Sequence, residues 1–218
     1  MTKKLVFDKR SIVVLIIAIQ VLVMVYHGMI KEGYFTDEVS SYGLSNSYYE
    51  PFIQNDEDFI ERYYTKEELT DYLSVTDDGF SYDSVYYNQT KDVHPPFYYF
   101  IFHTLSSLFP NNYSKLIGLS INILIFILID IMVYRLVFES VNREAGICAL
   151  IIWGFSAGAI NTITFVRMYA LLSLLVLMFI YLLRKFIKFE AKKVDHFLIM
   201  LITFLGSLTH ESLFAHCA

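Results

Sequence analysis

The sequence contains little cysteine, little tryptophan and little charge. Of its 218 residues, two are cysteine and one is tryptophan, and Asp, Glu, Lys and Arg together make up 18%. The cysteines, Cys148 and Cys217, lie in or beside apolar runs and show no metal-ligand spacing, so they indicate neither a disulfide framework nor a zinc site. No internal repeat is visible and the apolar runs hold few charges, which disfavours a transporter.

Apolar residues are abundant instead. They make up 56% of the chain, and several runs approach the length of a bilayer crossing, which favours an integral membrane protein over a soluble domain. The first run, Ile12–Ile30, follows four basic residues and would be about 28 Å long as a helix. A signal peptide has the same pattern, but no small-x-small cleavage signal follows this run. We therefore expect a retained anchor with a cytoplasmic N-terminus.

The segment after this anchor is acidic and rich in tyrosine. Residues 31–93 contain 15 Asp or Glu and 4 Lys or Arg, whereas the rest of the chain contains 7 and 13. Because tyrosine favours the membrane–water boundary, we expect this outer loop to lie folded on the membrane surface. Thr65-Lys66-Glu67-Glu68 resembles a capping box that opens a short helix through about Leu73, and Asp77-Asp78-Gly79 predicts a turn. No nucleic-acid partner is expected.

The direction of the later segments follows from their flanking charges. The five basic residues between 184 and 193 should be cytoplasmic, which requires an odd number of crossings after the outer loop. Phe97–Phe109 would be only about 20 Å long and would break this parity, so it is placed at the outer interface. The crossings are then expected at Leu116–Phe138, Ala145–Phe165, Met168–Leu183 and Phe197–Phe214.

These segments predict an all-α integral membrane fold with about five transmembrane helices and a large outer loop containing short interfacial helices. Residues 31–113 form the extracytoplasmic loop, and residues 114–218 hold the remaining transmembrane helices. The protein is expected to be a multi-pass protein of the cell membrane.

The same topology gathers chemically capable side chains at the outer face, namely Asp37, Glu38, His94, Arg167, Tyr169 and His210. A carboxylate at the bilayer edge can act as a general base, although an acid pair in an acidic loop is also a common solvated feature. His94 precedes two prolines that restrict its backbone, and it could be structural. Arg167 lies near hydrocarbon, where it either snorkels to the interface or has a partner or a function. Asp130, the deepest acid, could pair with Arg135 or face a polar cavity.

A known family shares these features in this order. The Asp37-Glu38 pair after the first anchor, the stretch His94-Pro95-Pro96-Phe97-Tyr98-Tyr99, the run Arg167-Met168-Tyr169-Ala170-Leu171-Leu172 and the late Leu208-Thr209-His210 resemble the C-type membrane glycosyltransferases. Within them, the sequence is most similar to the protein mannosyltransferase and aminoarabinose transferase group, glycosyltransferase family 39 and its relatives. The resemblance extends from the first anchor to about His210.

This resemblance implies transfer of a sugar from a polyprenyl-phosphate carrier to a lipid, protein or glycan acceptor on the extracytoplasmic face, with inversion. It implies that Asp37 and Glu38 are catalytic, that His94 and Arg167 contact the donor phosphate, and that the substrate groove includes Tyr98, Tyr169 and His210. Apart from the lipid-linked donor, no cofactor is indicated. A divalent metal could bind only if Asp37, Glu38, Asp92 and His94 converge.

Members of this family are much longer and place aromatic residues after the Thr-His pair, whereas here Glu211–Ala218 follows. The chain is therefore expected to be an N-terminal fragment, residues 1–218 of a longer polytopic transferase domain, and could be inactive alone. The alternative function is a non-catalytic membrane accessory or partner-binding protein derived from a truncated transferase.

Overall fold

The computed structural model of the protein describes residues 9–53 and 63–210, with side chains from residue 11 onward. These residues form ten α-helices and no strand. The basic residues Lys3 and Lys4, Cys217 and the tail after His210 lie outside them. The helices are α1 (Lys9–Ile30), α2 (Thr36–Asn46), α3 (Lys66–Leu73), α4 (Tyr82–Gln89), α5 (Phe97–Ser107), α6 (Lys115–Ser140), α7 (Arg143–Gly154), α8 (Ala157–Thr164), α9 (Tyr169–Ile187) and α10 (Lys193–Ser207).

Three helices are long and apolar enough to cross a membrane: α1 over Ser11–Ile30, α6 and α9. Helix α6 is the centre of the fold, because it packs against α1, α5, α7, α8 and α9. Its buried side includes Ile125, Phe126 and Ile129, while Leu124 and Leu128 point outward. The predicted all-α fold with long apolar helices is confirmed for the described residues.

The predicted span Ala145–Phe165 is not one continuous helix. Helices α7 and α8 meet at a bend of 57°, and counting the pair as one broken span raises the number of candidate crossings from three to four. Ser156 starts α8 by accepting a hydrogen bond from the Ala159 N–H at 3.0 Å. Gly154 ends α7 where a Cβ would lie 2.2 Å from Gln20, so α1 approaches the backbone at the break.

The last predicted span, Phe197–Phe214, also differs from the structure. Helix α10 has 15 residues and ends at Ser207, which makes it about 22 Å long and short for a crossing. Residues 211–214 of that predicted span lie outside the described part of the chain.

Glu139 joins the ends of α6 and α9. It accepts hydrogen bonds from Arg135 Nε and Arg184 Nη1, both at 2.8 Å. The suggested pairing of Asp130 with Arg135 is therefore wrong, because Arg135 lies one turn before Glu139 on the same helix face. Asp130 is fully buried, and the indole N–H of Trp153, which has no other partner among the described residues, is its polar neighbour.

The other helix ends meet on the opposite side of the bundle. Lys115, at the start of α6, donates to the Met29 carbonyl near the end of α1 at 2.7 Å. Lys31 donates to the Thr164 carbonyl at the end of α8, and the Phe97 N–H that opens α5 donates to the Leu208 carbonyl at 2.9 Å. The C-terminal ends of α1, α8 and α10 are thus brought to the same side.

Helices α2–α5 form a small layer at this end. Its core consists of Tyr42, Tyr98, Tyr99 and Phe102, all 0–1% exposed. Helix α3 begins with the predicted capping box, in which Thr65 and Glu68 exchange side-chain-to-backbone hydrogen bonds, and the chain turns at Gly79 as expected. Helix α5 packs against α2, α4 and α6, so Tyr98, Tyr99 and Phe102 are buried within the protein, whereas Phe97 and Phe100 are half-buried.

The predicted topology can be tested by labelling single cysteines in a chain without native cysteines. Lys66 and Asn112 lie before and after α5, and Lys188 follows α9; all three are exposed. An impermeant maleimide should label cysteines at positions 66 and 112 from outside, and one at 188 only after permeabilisation. Labelling of position 66 from outside but of position 112 only from inside would show that α5 crosses the membrane.

Candidate functional site

Asp37 and Arg167 lie together although 130 residues separate them in the chain. Asp37 is in the first turn of α2, and its side chain is 58% exposed. Arg167 lies in the link between α8 and α9, and its side chain is only 6% exposed. Arg167 Nη2 is 3.7 Å from Asp37 Oδ2, and Nη1 donates to the Asp37 carbonyl oxygen at 3.2 Å. The predicted base and the predicted cation are therefore neighbours.

Glu38 has a different environment from Asp37, despite being the next residue. It is fully buried and accepts hydrogen bonds from Lys31 Nζ, from the Val166 N–H at 2.8 Å and from the Phe35 N–H at 3.0 Å. Both carboxylate oxygens are thus occupied within the protein. Glu38 thereby fixes the segment that carries Arg167 against the start of α2, and its assignment as a catalytic residue stays a prediction.

The aromatic residues near Asp37 form a continuous row. The Phe165 and Tyr169 rings stack with centroids 6.1 Å apart, and Tyr169 is 6.1 Å from His210. His210 lies 5.8 Å from His94, whose Nδ1 is 3.0 Å from Asp92 Oδ2. Three of the predicted site residues, His94, Tyr169 and His210, are therefore brought together by the fold.

Two cavities border this row and share the rings of Phe35 and Phe165, which are 5.7 Å apart. The smaller cavity has a volume of about 380 Å³ and includes Thr36 and Asp37. The larger has a volume of about 600 Å³ and lies beside the end of α1. Its lining combines apolar rings with polar groups and a cation, from residues His27, Lys31, Phe35, Ile160, Asn161, Thr162, Thr164, Phe165 and Tyr169.

Tyr98 does not line either cavity. Its side chain is fully buried, and its hydroxyl donates to Asn122 Oδ1 at 3.3 Å, which places it in the core between α5 and α6. The neighbouring Tyr99 is also fully buried, and burial raises the pKa of its hydroxyl while the nearby Arg167 guanidinium opposes that shift. The resemblance placed Tyr98 in a groove, and the sequence could not show its burial because that burial depends on helices distant in sequence.

A divalent metal would need Asp37, Glu38, Asp92 and His94 to converge, and the described residues do not bring these side chains into one group. Across residues 9–53 and 63–210, no three His, Cys, Asp or Glu side chains form a group that could hold a metal ion. Asp92 and His94 pair with each other, whereas Glu38 is occupied by Lys31.

Sequence reasoning missed Lys31, Phe35 and Phe165. Lys31 directly follows the first apolar run, and a cation at that boundary is a signal that could have been noticed. Phe35 and Phe165 have no local signal, because their importance comes from their contact across the fold.

Comparisons with protein-family models, with curated proteins and with solved structures found no match to this chain.

Proposed function

We propose that the chain belongs to a membrane glycosyltransferase that moves a sugar from a polyprenyl-phosphate carrier to an acceptor on the extracytoplasmic face, with inversion. The observation that supports this most is the exposed Asp37 carboxylate, which lines the smaller cavity and is held 3.7 Å from the nearly buried Arg167. The motif resemblance around Asp37, His94 and Arg167 supports the same chemistry.

In this proposal Asp37 is the general base. The acceptor hydroxyl attacks the anomeric carbon of the donor sugar, and its proton passes to a carboxylate oxygen of Asp37. The bond from the anomeric carbon to the phosphate oxygen breaks, and the carrier phosphate leaves with the bonding electrons. Attack from the face opposite the leaving group inverts the anomeric configuration.

Arg167 has two partners in turn. A separation of 3.7 Å from Asp37 is a loose ion pair, so an incoming phosphate can compete for the guanidinium. When Arg167 binds the phosphate instead of Asp37, the Asp37 carboxylate becomes free to act as a base. His94, whose ring is oriented by the contact of its Nδ1 with Asp92, supplies a second contact to the phosphate.

The larger cavity suits the carrier. It begins at His27 in the last turn of α1, contains the apolar side chains of Ile160, Phe165 and Tyr169, and includes the Lys31 cation. A prenyl chain can lie against the apolar side chains. Because Lys31 is already paired with Glu38, the phosphate is placed toward the smaller cavity, where Asp37 contacts Arg167. We propose four crossings by α1, α6, the bent pair α7–α8 and α9, and a fifth by α10 together with the residues that follow it, because α10 alone is short for a bilayer. This arrangement places the cavity at the outer membrane boundary.

The function is tested by reconstituting the chain in liposomes with polyprenyl-phosphate sugars. The proposal expects release of free polyprenyl phosphate together with transfer of the sugar to an acceptor, measured by mass spectrometry. Should the folded chain bind none of these donors, the proposal fails. Donor binding without release would support the alternative, a non-catalytic protein derived from a transferase.

Arg167 should control carrier affinity. Arg167→Ala removes a charge-assisted contact to phosphate worth about 1.5–3 kcal/mol, so the Kd for polyprenyl phosphate should rise by about tenfold or more. Arg167→Lys keeps the positive charge but lacks the planar guanidinium group, so its Kd should lie between those of the unsubstituted chain and Arg167→Ala. The measurement is a binding titration in detergent micelles. Arg135→Ala, at the opposite end of the bundle, is the control that should leave the Kd unchanged, and an unchanged Kd for Arg167→Ala would contradict the assignment.

A further inference from the structure

Three tyrosines form an exposed aromatic surface on the layer made by α2–α5. The rings of Tyr48 and Tyr49 lie 4.8 Å apart at an interplanar angle of 85°, and Tyr49 lies 5.3 Å from Tyr87 at 55°. The three side chains are 54%, 41% and 40% exposed. We call this surface the tyrosine platform. Its rings contact one another but are not buried in the core, so packing alone does not account for it.

The backbone beneath the platform is held in an unfavourable conformation. Tyr49 has φ +52°, a left-handed value that residues other than glycine rarely adopt. The Tyr49 N–H donates to Ser84 Oγ at 2.8 Å, which anchors this residue to α4. Ser84 Oγ and Asn88 Nδ2 both donate to the Ser47 carbonyl oxygen, at 3.1 and 2.9 Å. Buried hydrogen bonds thus hold an unfavourable backbone conformation that keeps these rings exposed. Such a conformation is typical of a functional surface.

Polar groups border the rings. The Tyr49 hydroxyl donates to Asp83 Oδ2, and Ser81 Oγ donates to Oδ1 of the same carboxylate at 2.9 Å. The ammonium group of Lys91 lies 5.6 Å from the centroid of the Tyr87 ring. The hydrogen bond to Asp83 raises the pKa of Tyr49 to about 12, so this phenol stays protonated over the physiological range. The platform therefore offers aromatic faces beside a hydrogen-bond acceptor and a donor.

We propose that the tyrosine platform binds neutral pyranose units of a glycan. The C–H faces of a pyranose ring are apolar and can lie on tyrosine rings, while its hydroxyl groups can donate to Asp83 and accept from Lys91. Tyrosine suits this task because its large amphipathic ring loses little conformational entropy on binding. Binding at this surface does not depend on the proposed transferase activity.

A membrane surface is the competing partner. Tyrosine is common at the membrane–water boundary, and the platform would then lie among lipid headgroups. The charge of the region argues against an anionic bilayer, because residues 31–93 contain 15 acidic and 4 basic residues. A neutral sugar meets no such repulsion.

The test uses the full chain in nanodiscs, titrated with neutral hexasaccharides built from glucose, mannose, galactose or N-acetylglucosamine, with saturation-transfer NMR as the readout. At least one should bind with a millimolar or lower Kd. Tyr49→Gly keeps the positive φ without the ring, and Tyr87→Ala removes a second ring; each should weaken binding by about tenfold or more. Tyr86→Ala is the matched control, because Tyr86 is 60% exposed on the same helix but lies outside the platform.

No binding of any hexasaccharide, or equal loss in the Tyr86→Ala control, would overturn the proposal. A second measurement separates sugar from lipid. Tyr87→Trp in a Trp153→Phe chain should be quenched by aqueous acrylamide, and a bound hexasaccharide should protect it. Quenching by brominated lipid without quenching by acrylamide would place the platform in the headgroups and would also overturn the proposal.

Discussion

Asp37→Asn is expected to lower sugar transfer by about 100-fold or more while the Kd for polyprenyl phosphate stays nearly unchanged. The substitution keeps the shape of the side chain but removes the carboxylate that accepts the acceptor proton. The exposure of this side chain, 58%, and its position at a cavity edge make it available to substrate. The measurement is single-turnover transfer in liposomes, with the Kd determined separately.

The matched control is Asp71→Asn, which neutralises an exposed acid on α3 far from the cavities beside Phe35. This variant should transfer sugar at the normal rate. If Asp37→Asn also does so, Asp37 is not the base and the mechanism proposed above is wrong. Loss of binding together with turnover would instead indicate that Asp37 holds the donor.

Glu38→Gln is expected to destabilise the protein by about 3 kcal/mol or more. Glu38 is fully buried, and neutralising it leaves Lys31 without its counter-ion and places an amide donor among N–H and ammonium donors. Because the same contacts hold the segment before Arg167, the site should loosen with the fold. Thermal unfolding in detergent, followed by circular dichroism, measures the effect.

Asp37→Asn serves as the comparison, since it makes the same chemical change one residue earlier. Its carboxylate is largely exposed and loosely paired, so its stability should change by less than about 1 kcal/mol. Asp37→Asn should therefore lose turnover while keeping its stability, whereas Glu38→Gln should lose stability. A Glu38→Gln protein with normal unfolding temperature and no turnover would reassign the base to Glu38.

Much of the architecture follows from the sequence. The apolar runs predicted nearly the full lengths of the observed helices α1, α6 and α9. An apolar run of bilayer length forms a helix because its backbone polar groups must be satisfied within the segment. The capping box at Thr65 correctly placed the start of α3, since its hydrogen bonds involve only residues within one turn.

The positions of helix breaks and the partners of charged residues were harder to predict from the sequence. At the bend between α7 and α8, Gln20 of α1 closely approaches Gly154, and no local pattern reveals that contact. The suggested pair of Asp130 and Arg135 is not formed, because side chains five residues apart on a helix point about 140° away from each other, whereas Glu139 lies four residues after Arg135. Arg184 on α9 also donates to Glu139 and fixes it.

The sequence by itself determined that two carboxylates follow the first apolar helix and that an arginine precedes α9. Only the tertiary structure decided which carboxylate faces solvent and which is buried. Successive residues on a helix point about 100° apart, so Asp37 and Glu38 cannot share an environment. The packing of α1 against α8 brings the Val166 N–H and the Lys31 ammonium group together. Both donate to the carboxylate on the side of α2 that Glu38 occupies, and Asp37 points away from them.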